Sequence, residues 1–283
     1  MAATSHMSRL EAGRRVFSSV LVGIDGSQQA LEAARQAAVL EDVDRDLTLL
    51  AAWDTAPVMG GTGSRIPYYY DEELQRGRRE KALAAANDHI GSYAAAVSKL
   101  VRGTAVSRLL EEIERSEHTL VAVGSSRMGR IRGILEGEVA TEIVHRAPCS
   151  VLIARTADLE FPRRAVVGID GSIESAAAYA AARYLSERFG AELRALVAWG
   201  GQSVNERLAA VITEGEHEDS ADQPVEALLT AAKSADLVVI GSRGLHGVRA
   251  LGSVSERVAH SAACSALVVR EPAWQRVAEE LGR

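Results

Sequence analysis

The stretch SVLVGIDGS, Ser19 to Ser27, decides how this chain is to be read. Ser19 to Ile24 is a continuous apolar run, as expected of a strand buried on both faces of a parallel sheet. Asp25-Gly26 turns the chain, and Ser27 is placed to N-cap the helix that follows. Ala30, Ala34, Ala37 and Ala38 give that helix a face of small residues, which lets it lie close against a sheet. The core of the motif, Val22-Gly-Ile-Asp-Gly-Ser27, returns as Val167-Gly-Ile-Asp-Gly-Ser172, 145 positions later.

Working outward, other segments recur in the same order. Ala52-Trp53 returns as Ala198-Trp199, and Val123-Gly-Ser125 as Ile240-Gly-Ser242. The stretch Val144 to Ser150, with His145 and Cys149, has its counterpart from Ala259 through Cys264-Ser265, with His260 in the same place. Ordered recurrence predicts two copies of one domain. Residues 17–157 form the first and 163–270 a shortened second, joined where Phe161-Pro162 interrupts regular structure. Trp53 to Ala105 spans 52 residues but Trp199 to the matching Pro224 only 25, so the second copy lacks most of one helix. Residues 1–16 read as a disordered leader without the apolar core of a signal peptide. Residues 271–283 read as an added C-terminal helix with Trp274, Val277 and Leu281 on its apolar side.

Within the first copy the pattern alternates strand and helix. Leu47 to Trp53 reads as a second strand, Glu72 to Val97 as a long helix, and the region of Leu100 as a short strand. Ala105 to Glu117 reads as a helix, Leu120 to Val123 as a strand, Glu138 to His145 as a helix and Ser150 to Ala154 as the last strand. The fold class is therefore α/β: two tandem Rossmann-like domains, each a five-stranded parallel sheet with helices on both faces. Ligands of such sheets bind at the carboxyl ends of the strands, where strand order reverses. The Asp-Gly-Ser turn, the Ala-Trp pair and the glycine loop after the fourth strand all fall on that rim.

Bulk composition narrows the functional classes. Hydrophobic residues make up 47% of the 283 but aromatics only 4%, so the cores are built from Ala, Val, Leu and Ile. A net charge of −6 argues against nucleic-acid binding, which needs a basic surface. No apolar run reaches the length of a membrane helix. Two cysteines are too few for a disulfide framework, and their matched positions before the last strands point to packing. These features together predict a cytoplasmic protein. The histidines show no metal-binding spacing, no Walker lysine is present, and no catalytic base comes with a supporting motif. His145 and His260 read as structural.

The loop GSRGLHGVRALGSVSERV, Gly241 to Val258, carries the chemistry. Backbone N–H groups at a helix start attract phosphate, and glycine lets the backbone approach it. Ser253 and Ser255 offer hydroxyls and Arg243 offers charge, while Asp170 across the rim can accept from a ribose hydroxyl. In this order the motifs resemble the universal stress protein family, over residues 17 to 270. The resemblance implies an adenine nucleotide alpha hydrolase-like fold and a site for ATP or another adenine nucleotide, with or without Mg2+. Carried over, Asp170 faces the ribose or base and Ala198 the adenine. Gly241, Arg243 and Gly244 line the phosphates, and Gly252, Ser253 and Val254 close on them, with Ser255 beside. The degenerate first-copy counterparts are Asp25, Ala52, Gly124, Arg127 and Gly137.

Both copies depart from the family's spacing of Gly, two residues, Gly, nine residues, Gly, then Ser or Thr. In the second copy only seven residues, Leu245 to Leu251, separate Gly244 from Gly252. In the first, Arg127 stands where glycine is expected and Glu138 where Ser or Thr is expected. A carboxylate at a helix N-terminus occupies the position a phosphate would take, so nucleotide is expected chiefly in the second copy. Asp25 and Asp170 serve equally well as plain turn residues, which keeps a second class open: an interaction scaffold that binds no nucleotide. The last strands, Val151 to Ala154 and Ala266 to Val269, are edges suited to pairing the two copies, and two such chains can still associate as a homodimer.

Overall fold

The computed structural model describes residues 17–42, 46–54, 72–91, 93–125, 138–157, 160–198, 217–242 and 253–270. The predicted leader (1–16) and the predicted C-terminal helix (271–283) lie outside them.

The first half runs β1 (Val20–Gly23), α1 (Gln28–Leu40), β2 (Leu47–Trp53), α2 (Glu72–Ile90), β3 (Ala96–Arg102), α3 (Ala105–Ser116), β4 (Leu120–Gly124), α4 (Glu138–Arg146) and β5 (Ser150–Ala154). The second runs β6 (Arg164–Ile169), α5 (Ile173–Phe189), β7 (Glu192–Ala198), β8 (His217–Ser220), α6 (Pro224–Ala231), β9 (Leu237–Gly241), α7 (Ser253–Ser261) and β10 (Ser265–Val269). Among the described residues the ten strands form one sheet in the order β3-β2-β1-β4-β5-β10-β9-β6-β7-β8. Every pairing within a half is parallel; β5 and β10 pair antiparallel, with Leu267 opposite Leu152. The sheet is thus mixed, with two parallel halves related by an approximate two-fold axis.

Two element boundaries differ from expectation. The helix predicted to reach Val97 stops at Ile90, where Gly91 turns to φ +46° and the Tyr93 N–H closes back on the Ile90 carbonyl at 2.9 Å. Residues 96 to 102 then pair along the whole of β2, Leu47 with Ala96 through Trp53 with Arg102. The run AAAVSKLVR satisfies either period, and the sheet edge decides it in favour of strand.

The cores follow from the small residues. On one face Ala30, Ala33, Ala34 and Ala37 of α1 and Ala178, Ala181 and Ala182 of α5 are almost wholly buried against the sheet. On the other face α3, α4, α6 and α7 cover Leu21, Val121, Val151, Val238 and Val268. Each apolar cluster contains residues of both halves, so neither half keeps a core to itself. Among the described residues no helix is long and apolar enough to cross a membrane.

Candidate functional site at the strand ends

In each half the first and fourth strands lie side by side, β1 with β4 and β6 with β9, and their helices leave on opposite faces. The crevice at these carboxyl ends is where open α/β sheets take ligands. Its first wall is the Asp-Gly-Ser turn. Asp25 Oδ1 accepts from the Ser27 N–H at 2.8 Å, and Asp170 Oδ1 accepts from the Ser172 N–H at 3.0 Å and from its hydroxyl at 2.5 Å. Gly26 and Gly171 between them adopt φ +93° and +77°, a region that side-chain-bearing residues rarely enter. Ser27 Oγ then caps Ala30 N at 3.1 Å, and Ser172 Oγ caps Ser175 N at the same distance. The turn is therefore fully used in holding its helix, with one oxygen of each aspartate committed to it.

The second wall is the glycine that ends the fourth strand. A Cβ on Gly124 would stand 2.4 Å from the Gln29 carbonyl carbon, and one on Gly241 would stand 2.3 Å from the Glu174 carbonyl oxygen. These glycines let the strand end press on the first turn of α1 and α5. That role is structural, whatever else lies beside them. Ser255, predicted to turn its hydroxyl to a ligand, is buried and donates instead to the Gly241 carbonyl at 2.6 Å. This hydrogen bond ties the start of α7 to the end of β9.

In the first half Asp25, Ala52 and Gly124 come together around a cleft with Gly23, Ile24, Ser27 and Val139. Its volume is about 90 Å3, small beside the roughly 300–1,000 Å3 of typical ligand sites. Arg79 of α2, which sequence reasoning did not single out, also lines it and donates to the Asp25 main-chain carbonyl. Nearby, the Arg102 guanidinium lies 5.4 Å over the ring of Trp53. A larger groove of about 430 Å3, lined by Tyr179, Arg183, Arg194 and His217 among others, lies along α5, β7 and β8 away from the rim.

In the second half Asp170, Gly241, Val254 and Ser255 are described at the rim, and the backbone of Ala198 ends β7 beside them. Arg243, Gly244, Gly252, Arg127 and Gly137 lie outside the described residues, as do the side chains of Ala198, Ser253 and Glu138.

At the opposite ends of the strands the fold builds a buried polar cluster. The Ser19 hydroxyl donates to Asp46 at 2.6 Å and stands 2.7 Å from His118 Nδ1. Glu112 lies 3.8 Å from His118 Nε2 and accepts from Lys99 at 2.6 Å. The set has the members of a Ser-His-acid triad but not its wiring. The serine proton is already given to a carboxylate, and Ser19 and His118 are both buried. Burial lowers the His118 pKa from its ordinary value, and Glu112 falls to about 2: burial raises it, but hydrogen bonds from Lys99, Ser116 and Arg115 outweigh that. Cys149 and Cys264 are buried thiols outside any disulfide, with burial pushing the Cys264 thiol up to about 11, which suits packing rather than redox chemistry.

Arginines cross between the halves. Arg155, just past β5, donates to the carbonyls of Cys264, Ala259 and His260 at 2.9, 2.6 and 3.2 Å, capping the end of α7. Arg270, just past β10, donates to the carbonyls of Ala147 and Val144 at 2.6 and 2.5 Å, capping α4. Ser265 and Ser150 receive the two arginines' main-chain N–H groups. On the other face Arg188 of α5 caps α1 through the Leu40 and Glu41 carbonyls and pairs with Asp42 at 3.0 Å. The repeat held the signal for the first pair: Arg155 and Arg270 are spaced as Ser150 and Ser265 are.

With the doubled rim and the paired halves in view, a family model described as the universal stress protein family matches residues 17–155 and 202–270. The chain belongs to the universal stress protein family. Universal stress proteins Rv2005c and Rv2623 of Mycobacterium tuberculosis are each 30% identical to this universal stress protein, over 89% of this chain and 97% and 96% of theirs. A solved universal stress protein from Archaeoglobus fulgidus matches with a TM-score of 0.68 at 20% identity, covering 89% of this chain and 98% of its own. That likeness speaks for the fold of the whole tandem.

Proposed function

We propose that this universal stress protein is a stress-response or signalling module that binds an adenine nucleotide, ATP foremost, chiefly at the rim of its second half. One observation carries the reading: the same Asp-Gly-Ser turn and the same close-packed glycine stand at the strand-order reversal of both halves. The helix that follows in the second half begins at Ser253, in the sequence Gly252-Ser253, which is suited to a phosphate. The first-half cleft is small, and Glu138 stands at the matching helix start. A ribose hydroxyl would meet the Asp170 carboxylate at this rim.

Calorimetric titration with Mg-ATP tests this. The expected result is one site per chain, lost in Ser253→Glu, which copies the first half's residue at that position. No heat and no thermal stabilisation at millimolar ATP would overturn it. A second reading, a scaffold without nucleotide, is favoured by one observation: Gly241 and Ser255 are both engaged in packing α5 and α7 to β9. The same titration separates the two.

A further inference from the structure

His145 and His260 hold equivalent places in the two halves, each in the last turn of its helix, α4 or α7. The antiparallel join brings those helix ends together, and the two imidazoles with them. Glu256 lies one turn before His260, the i, i+4 spacing that puts two side chains on one helix face. His145 Nε2 stands 3.4 Å from Glu256 Oε1. One ligand atom from each of the three residues lies within 4.8 Å of the other two. The position equivalent to Glu256 in the first half is Thr141, so the approximate two-fold leaves two imidazoles and a single carboxylate.

We propose that His145, Glu256 and His260 form a binding site for a divalent first-row transition cation, Zn2+ foremost, that clamps α4 of the first half to α7 of the second. Two imidazoles and one carboxylate suit a borderline cation, whereas Ca2+ and Mg2+ prefer all-oxygen shells. A tetrahedral shell with Zn–N and Zn–O bonds of about 2.0–2.1 Å sets neighbouring ligand atoms about 3.3 Å apart, close to the spacing already present between His145 and Glu256. His260 is exposed and His145 and Glu256 are half-buried, so the remaining closure needs side-chain rotation and no change in the core. The exposed side leaves the fourth position to water. The nearby Arg155 charge opposes a cation, but its guanidinium is turned to the Ala259, His260 and Cys264 carbonyls, and Glu256 offsets it.

Titration of the full chain with ZnCl2, by calorimetry and by thermal melting, tests the site. One Zn2+ per chain is expected, with a rise in Tm at saturation. His145→Ala, His260→Ala and Glu256→Gln should each weaken binding about tenfold or more. His89→Ala, at an exposed histidine, and His217→Ala, at a half-buried one, both outside the cluster, should leave it unchanged. Co2+ in place of Zn2+ should give the intense visible bands of a tetrahedral site, lost in His145→Ala. The three ligand variants should melt as the parent does without metal, because no core contact is removed. Binding that survives in the His145→Ala/His260→Ala pair would overturn the proposal. So would no binding at submillimolar Zn2+, which would leave the three residues as an ordinary surface ion pair beside a histidine.

Discussion

Gly124 and Gly241 show how a single residue can serve a fold and mark a site together. Each sits at the end of a fourth strand, with main-chain atoms of the helix that follows the first strand so near that a methyl group has no place. Gly241→Ala should therefore destabilise the protein by about 1–3 kcal/mol, the usual cost of overpacking, read as a lower urea midpoint with an unchanged slope. Gly77 in α2 is the matched control, because nothing lies within 4 Å of where its Cβ would be. Gly77→Ala should stabilise by about 0.5–1 kcal/mol through helix propensity. A Gly241→Ala midpoint equal to that of the parent would show that the strand end can retreat from α5. The sequence marked this glycine as a phosphate contact because glycine in a loop after a strand is ambiguous between the two roles. Only the position of the Glu174 carbonyl, 67 residues away in the chain, reveals the packing role.

At the scale of elements, the helices of one half end on arginines of the other. Helix C-termini leave carbonyls without partners, and here the partner guanidinium enters from across the pseudo-two-fold. Arg155 is almost fully buried, so removing its head strands the carbonyls of Ala259 and Cys264 where water is scarce. Arg155→Met keeps the stem and loses the donors; a cost of about 2–4 kcal/mol is expected from unsatisfied buried acceptors, measured by urea unfolding. Arg155→Lys should recover only part, since an ammonium cannot reproduce the planar fork. A neutral Arg155→Met would mean that α7 finds another cap. The elements themselves were legible wherever period and punctuation agreed: Ser19 to Ser27 and its repeat read correctly as strand, turn and capped helix. The start of β3 was not, because its residues fit helix and strand alike and only pairing with β2 separates them. The arginine caps were hidden for another reason. A cap supplied by a residue more than a hundred positions away leaves no local pattern.

For the whole molecule, the sheet is continuous across the join, the apolar clusters on both faces mix the two halves, and three arginines cross between them. Sequence repetition suggests two independent units, yet these observations describe one cooperative body. Scanning calorimetry should give a single transition with calorimetric and van't Hoff enthalpies in near agreement; two resolved transitions would sink this. Leu267→Asp, which sets a charge opposite Leu152 in the middle of the join, should lower the whole transition rather than split off one half. The duplication was plain from the order of motifs, but the register of β5 against β10 was not, since each strand is an unbroken apolar run without a marker for its partner.

The antiparallel join also sets direction. Strands of the first half point one way along the sheet and those of the second half point the other. Their carboxyl ends, and the crevices on them, therefore open at opposite poles of the molecule. No single small ligand can bridge the two, and a protein docked at one pole leaves the other accessible. An event at one pole therefore leaves the other sterically untouched, and any influence between them must travel through the continuous sheet.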